Sequence, residues 1–455
     1  LNTEERKSAT YWLNCPLHNT REDLRLLFAC YEQFAKTNGE EDDHFIWKYC
    51  FGDLPYDNQQ LRLVKSYLLG TLERWLSFKE WNNSIEMPGQ NWLIEAYRQR
   101  GLERHLKRRV QERRKALQRN PARNPTGLLF RYDLERVHFD LVAAERRLQK
   151  HNLAELNQAL DLAMIALKLR AACQALSSGR LTGDESEILF LTNCLEYVAI
   201  NEIAANNDAI RPFYLACLLL MHNEEAQFRA FRQDLFNHIN QYTQDEQRDL
   251  LFIAINHCVG QINAGKHDYL QRAFDLYRLG LDQKLLYENG RLSLYTFNNV
   301  VGIGLRIGEG DWIANFLADH EDKLPDKGGK EVFALNAARH AYYSKNYEGA
   351  LVYLRSADFV DFIHHLSART LQLKIYWELD YQHLLGSHLK NTSALLNRRK
   401  KASYHLSNYR NIFQLAKQLY RLAPTNDTAR TQLRDLILAT EPLTEREWLL
   451  ARLGD

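Results

Sequence analysis

Apolar residues recur along this chain at intervals of three and four, the spacing that lines one face of an α-helix. The pattern is plainest over Glu331–Leu385. There Asn346-Tyr347 and Asp380-Tyr381 stand 34 residues apart, and Asp311-Trp312 precedes Asn346-Tyr347 by 35. Each pair follows one amphipathic run and opens another. Each therefore reads as an N-cap and first helical residue, the short Asp or Asn side chain accepting from amides that the new helix leaves unpaired. The aromatic faces an apolar residue four positions on: Trp312 with Phe316, Tyr347 with Leu351, Tyr381 with Leu385. Such pairs share one helix face. Two helices, a tight turn and a period near 34 describe an all-α chain built as an α-solenoid of antiparallel helix pairs. The same signal recurs at Asp268-Tyr269 and Asn408-Tyr409, giving spacings of 43, 35, 34 and 28, so the repeat is degenerate.

Ahead of the repeats, residues 1–120 form an N-terminal helical module. Arg21–Ala35 places Leu24, Leu27, Phe28, Tyr31 and Phe34 on one face, and Leu61, Val64, Leu68, Leu72 and Trp75 do the same after the turn Leu54–Asn58. Asn91–Arg119 reads as one long helix with a thin stripe of Leu102, Leu106, Val110 and Leu117. The loop signals Asn120-Pro121 and Asn124-Pro125-Thr126-Gly127 suggest a boundary. A repeat array over 126–440 and a capping helix over 441–455 follow, with Thr182-Gly183-Asp184 and Pro424-Thr425-Asn426 starting further helices. No alternating pattern long enough for a strand is present, so essentially no β-structure is expected.

Within the array, Ala338, Tyr347, Ala350, Leu354 and Ala357 alternate small and large packing positions. The segment Ala334–Ala357 resembles a tetratricopeptide repeat, although the tryptophan, the Leu-Gly pair and the closing proline of the full pattern are absent. The chain is also similar to bacterial helical-repeat proteins, a likeness that supplies no activity. The resemblance implies a right-handed superhelix whose first helices line a concave groove for a peptide or partner domain. Counted back from Ala350 and Tyr381, the groove positions become Arg339, Tyr342, Tyr343, Arg369 and Tyr376. Guanidiniums flanked by phenols suit an acidic peptide, because Arg holds a carboxylate in a bidentate fork. The competing arrangement, in which both arginines pair with nearby acids and the tyrosines pack inward, stays open.

Composition adds little beyond an ordinary water-soluble class: 25% charged, 45% hydrophobic, formal net charge +2. The seven cysteines are scattered singly, which suggests free thiols in a reducing compartment, and the cytoplasm is expected. The chain opens on Leu1 rather than Met, so the lack of a signal peptide weighs little. No apolar run reaches the ~20 residues that span a bilayer.

Candidate chemistry is sparse. Gly302-Ile303-Gly304 with Gly308 has one residue too many for a dinucleotide loop and lies in a helical pattern, so close helix packing is expected. His364-His365 and the pair His383 and His388 lack ligand spacing, so neither a metal nor a cofactor is expected. No catalytic motif is recognisable, and the chain is expected not to be an enzyme. Arg98–Arg123 holds eleven Lys and Arg against Glu103 and Glu112, which leaves the rest of the chain net negative. Because these charges encircle the helix, Arg104, Lys107, Arg108 and Lys115 are expected on a solvated surface. The four residues Arg398-Arg399-Lys400-Lys401 read the same way. The favoured reading is a scaffold that binds a protein or peptide in its groove, with no membrane. Its alternative is a nucleic-acid-binding or regulatory helical protein using the basic helix 98–123.

Overall fold

The computed structural model describes the chain except for residues 38–41, 84–87, 120–122, 146–150, 183–186, 399–403, 423–426 and 455. Asn120-Pro121, Gly183-Asp184, Arg399-Lys400-Lys401 and Pro424-Thr425-Asn426 consequently lie outside the described residues. Helix accounts for 80% of the described residues, which fixes the class as all-α. Two compact units divide it, Leu1–Cys217 and Leu218–Asp455.

The first unit opens with α1 (Thr3–Asn14), α2 (Glu22–Thr37), α3 (Asp43–Phe51) and α4 (Asn58–Asn83). Their apolar faces close one core around Leu24, Leu27, Trp47, Leu61, Leu68 and Trp75. The long helix expected over 91–119 is instead two, α5 (Pro88–Gln99) and α6 (Glu103–Arg119). Gly101 breaks it, at φ +65°. Only glycine enters that left-handed region without a steric cost, and the Leu102 amide then reaches back to the Tyr97 carbonyl at 3.0 Å. Leu102 leaves the apolar stripe and is exposed, whereas Leu106 and Val110 stay buried. These two pack with Ile94 of α5 and with Leu134 and Val137 further along the chain, so one core spans the boundary expected from the sequence. The unit continues through α7 (Pro125–Glu145), α8 (Leu153–Thr182), α9 (Leu191–Ile200), the single turn α10 (Ile203–Asn206) and the start of α11 (Arg211–His222).

The second unit runs α12 (Glu225–His238), α13 (Gln244–Asn263), α14 (Tyr269–Asp282), α15 (Leu294–Arg306) and α16 (Gly310–His320). It continues with α17 (Gly329–Tyr343), α18 (Tyr347–Arg355), α19 (Phe362–Glu378) and α20 (Gln382–Asn397). It closes with α21 (Tyr404–Arg421), α22 (Asp427–Ala439) and α23 (Arg446–Leu453). Between α14 and α15 sits a hairpin, β1 (Tyr287–Glu288) against β2 (Arg291–Leu292). Its turn is Asn289-Gly290, both at positive φ, the chemistry a two-residue hairpin loop demands. Among the described residues this hairpin is the only strand pairing, in keeping with the expectation of essentially no β-structure.

Contacts in this unit follow a ladder. Helix α17 packs on α18, and α19 on α20; α18 touches α19, and α20 touches α21; α15, α17, α19 and α21 also touch in succession. The turns within the pairs are made differently from the expectation. Of the five Asp or Asn residues singled out, only Asn346 caps with its side chain, accepting from the Gly349 amide at 2.9 Å. Asp311 lies inside α16, and Asn408 lies well inside α21. What recurs is a left-handed residue closing the first helix: Gly265, Gly308, Lys345 and Asp380 all have positive φ. The following amide returns five residues, Asn346 to Ala341 at 2.8 Å and Tyr381 to Tyr376 at 3.0 Å. This is a Schellman closure, which satisfies the last carbonyls of a helix. Asp380 therefore ends a helix rather than beginning one.

The aromatic of each pair is also less buried than its partner. Phe316, Leu351 and Leu385 are core residues, whereas Trp312 and Tyr347 are half-buried and Tyr381 is 39% exposed. Gly304 does sit at a close approach, for a Cβ there would lie 2.6 Å from Ile313 Cδ1. Gly302 faces open space, and Gly308 serves the turn.

Candidate interaction site

Helices α19 and α21 carry a row of polar and aromatic side chains that converge on one stretch of the same chain, residues 440–453, and α17 packs beside α19. On α17, buried Asn336 donates to Asn298 Oδ1 on α15 at 2.7 Å. Arg339 Nη1 donates in turn to Asn336 Oδ1 at 3.1 Å. Burial is the main influence on Arg339 and draws its guanidinium below the ordinary value, opposed by Tyr409, Glu445 and Tyr343. Tyr342 is half-buried and donates to Glu378 Oε1 at 3.3 Å, while Tyr343 is exposed. Burial first, and then the Glu378 carboxylate, push the Tyr342 phenol up.

On α19 the same side holds Ser367, Lys374 two turns on, and Glu378 about one turn beyond that. Ser367 and Tyr409 of α21 share a hydroxyl hydrogen bond of 2.6 Å. Lys374 Nζ donates to Glu445 Oε2 at 2.9 Å and lies 5.2 Å from the Tyr342 ring centroid. Glu378 accepts from Arg452 Nη2 at 2.6 Å, and Trp377 meets Trp448 edge to face at 5.8 Å. On α21, Asn408 clasps Thr444, accepting from its amide at 2.8 Å and donating to its hydroxyl at 3.1 Å. Asn411 donates to the Pro442 carbonyl at 3.0 Å.

Arg369 and Tyr376 do not join this row. At 100° per residue they fall on the opposite side of α19. The Arg369 carbonyl accepts from His388 Nε2–H on α20 at 2.8 Å, and Tyr376 meets the same imidazole edge to face. Arg369 Nε donates to His365 Nε2 at 3.2 Å. Of the five positions expected to line one groove, the structure brings together Arg339, Tyr342 and Tyr343 and turns Arg369 and Tyr376 toward the paired helix. Tyr381 is a poor alignment point because Asp380 closes α19, and counting back from it moved the α19 positions about half a turn. Lys374, Glu378 and Asn408 are what the spacing missed. Lys374 and Glu378, four apart, formed the legible signal, since their helix places both on one face.

The basic helix is α6. Arg104, Arg108 and Lys115 are exposed and Lys107 is half-buried. Much of its charge is answered locally. Arg108 Nε donates to Glu112 at 2.8 Å, Arg109 reaches the same carboxylate at 3.3 Å, and Lys107 lies 3.6 Å from Glu103. Arg114 donates to buried Glu135 of α7 at 2.9 Å.

A cleft of about 440 Å³ between α12 and α14 gathers Arg229, Arg232 and Arg272 beside Phe236. Arg272 pairs with Glu225 at 2.7 Å and Arg232 with Asp275 at 2.8 Å, so most of that charge is matched. Among the described residues no three His, Cys, Asp or Glu side chains assemble a metal-ligating group. Among them, too, no helix is long and apolar enough to cross a membrane. Comparison with family models, with curated proteins and with solved structures returns no match to this chain.

Proposed function

We propose that this chain is a helical-repeat scaffold without catalytic chemistry of its own, which holds a protein or peptide partner against the shared face of α17, α19 and α21. One observation carries the reading: α19 and α21, with α17 packed beside α19, align polar and aromatic side chains that grip an extended-then-helical stretch of chain. They do so through both its backbone and its side chains. Repeats that stack in this way create a surface continuous across several units, the arrangement that repeat proteins use to hold partners. The closing Schellman turns and the ladder of pair contacts support a degenerate tetratricopeptide-like array. Lys374 and Arg339 offer cations to an acidic group of the partner, and Glu378 beside them offers a carboxylate to a basic one.

The test immobilises the whole chain and compares retention of a partner on wild type and on Arg339→Glu combined with Lys374→Glu. A loss of at least ten-fold with the fold intact by circular dichroism is expected. A partner retained equally on both chains would remove this face from consideration.

A further inference from the structure

The stretch 440–453 lies on the face that a partner would need, and it does so as a ligand lies in a groove. Glu445 supplies a carboxylate to Lys374 at 2.9 Å. Three and four residues on, Trp448 and Leu449 turn inward, followed by Leu453 another turn later; all three are buried. Arg452 completes the register by pairing with Glu378 at 2.6 Å. Spacing of anchors at i+3, i+4 and i+8 after a leading acid is how an amphipathic helix is read by a groove. Upstream, Asn408 and Asn411 hold the Thr444 amide and the Pro442 carbonyl, and Asn408 also holds the Thr444 hydroxyl. The fit is incomplete. The buried Trp448 indole N–H has no acceptor among the described residues, and an unmade hydrogen bond of a buried donor is a standing cost.

Resting on the scaffold reading above, we infer that residues 440–453 are a resident intramolecular ligand of the α19–α21 face. The external partner is then an amphipathic helix of another protein that begins with a carboxylate and carries an aromatic and two aliphatic anchors in the same register. The two compete for Lys374, Trp377 and Asn408. A partner with Phe at the Trp448 position lacks the unpaired N–H and displaces the resident segment more readily than one with Trp.

The probe is a labelled synthetic peptide of residues 440–453, offered to the full-length chain. Glu445→Gln with Trp448→Ala in the chain loosens the resident segment without altering the face, and should raise peptide affinity at least ten-fold over wild type. Adding Lys374→Glu should abolish that gain, and a peptide bearing Glu445→Lys should restore it. The Trp448→Phe peptide should bind more tightly than the native one. Equal affinity of folded wild-type and loosened chains would overturn the proposal. Should the double variant fail to fold, hydrogen exchange on wild type decides. Amides of 446–453 should exchange at least ten-fold faster than those of α19 and α21, and exchange in concert with those helices would overturn it. If partner capture depends on Arg339 and Lys374 while the peptide result is negative, this inference fails and the scaffold reading stands. If capture is indifferent to both residues, the scaffold reading itself fails.

Discussion

At the scale of single residues, burial separates the member of each pair that holds the repeat from the member that marks it. Leu351 and Leu385 are 3% and 1% exposed, while their aromatic companions Tyr347 and Tyr381 reach solvent. Deleting a buried leucine forfeits transfer free energy and leaves a cavity, about 2–5 kcal/mol. Leu351→Ala should therefore destabilise the chain by about that amount, and Tyr381→Ala by less than about 1 kcal/mol. Urea unfolding of the two variants checks the order, and a larger loss for Tyr381→Ala would contradict it. His388 makes a second prediction. Burial lowers its imidazole from the ordinary 6.5 to about 4, against the opposing effect of the hydrogen bond to the Arg369 carbonyl. The unfolded chain thus binds a proton that the folded chain refuses between those two values. The contribution is fully present above pH 6.5 and is lost as pH falls toward 4. Going from pH 7.5 to pH 5 should cost about 2 kcal/mol through this residue. His138, His320 and His365, lowered chiefly by burial as well, act in the same direction. Denaturation of wild type and His388→Gln at both pH values should show the loss shrinking by about that amount in the variant; an unchanged loss would place the dependence elsewhere.

At the scale of elements, the periodicity made the helices legible, and the turns were where it failed. Apolar spacing located α2 and α4 because a core face repeats whatever follows it. It could not separate α5 from α6, since Leu102 continues the stripe in sequence and only the backbone at Gly101 shows that the chain turns. The pairs Asp380-Tyr381 and Asn408-Tyr409 look alike as letters, yet the first closes a helix and the second lies within one. Asp and Asn serve N-caps and left-handed closures alike, so residue type alone could not choose. That ambiguity then carried into the candidate site, leaving Arg339 on the shared face and sending Arg369 and Tyr376 to the far side of α19. The break at Gly101 is itself testable. An L-residue in the left-handed region costs about 1–2 kcal/mol, so Gly101→Ala should lower stability by about that much. The cost would come with no steric clash, because nothing stands within 4 Å of the added Cβ. Thermal unfolding would measure it, and a neutral result would mean that α5 and α6 tolerate a continuous helix.

At the scale of the whole molecule, the one strong asymmetry in charge is the basic stretch around α6. A nearly neutral chain of net charge +2 that collects eleven cations in 26 positions invites a nucleic-acid reading, because phosphate attraction grows with each cation presented. The arrangement of those cations argues against it. Leu106 and Val110 occupy one narrow arc, and the positive side chains spread over the remainder of the helix instead of gathering on one face. Arg108 and Arg109 share Glu112, Lys107 faces Glu103, and Arg114 is drawn onto Glu135. A cation already beside a carboxylate releases fewer counterions when it meets a phosphate. The salt dependence of binding should accordingly be shallow, and the affinity low. Weak, sequence-independent binding to duplex DNA is the expected outcome, vanishing by ~150 mM salt. Reversing Arg104, Lys107, Arg108 and Lys115 together should change that little in absolute terms, and should leave capture of a protein partner by the second unit unaltered. Sub-micromolar binding to DNA or RNA at ~150 mM salt, lost on the same reversal, would instead make α6 the functional surface and displace the scaffold reading.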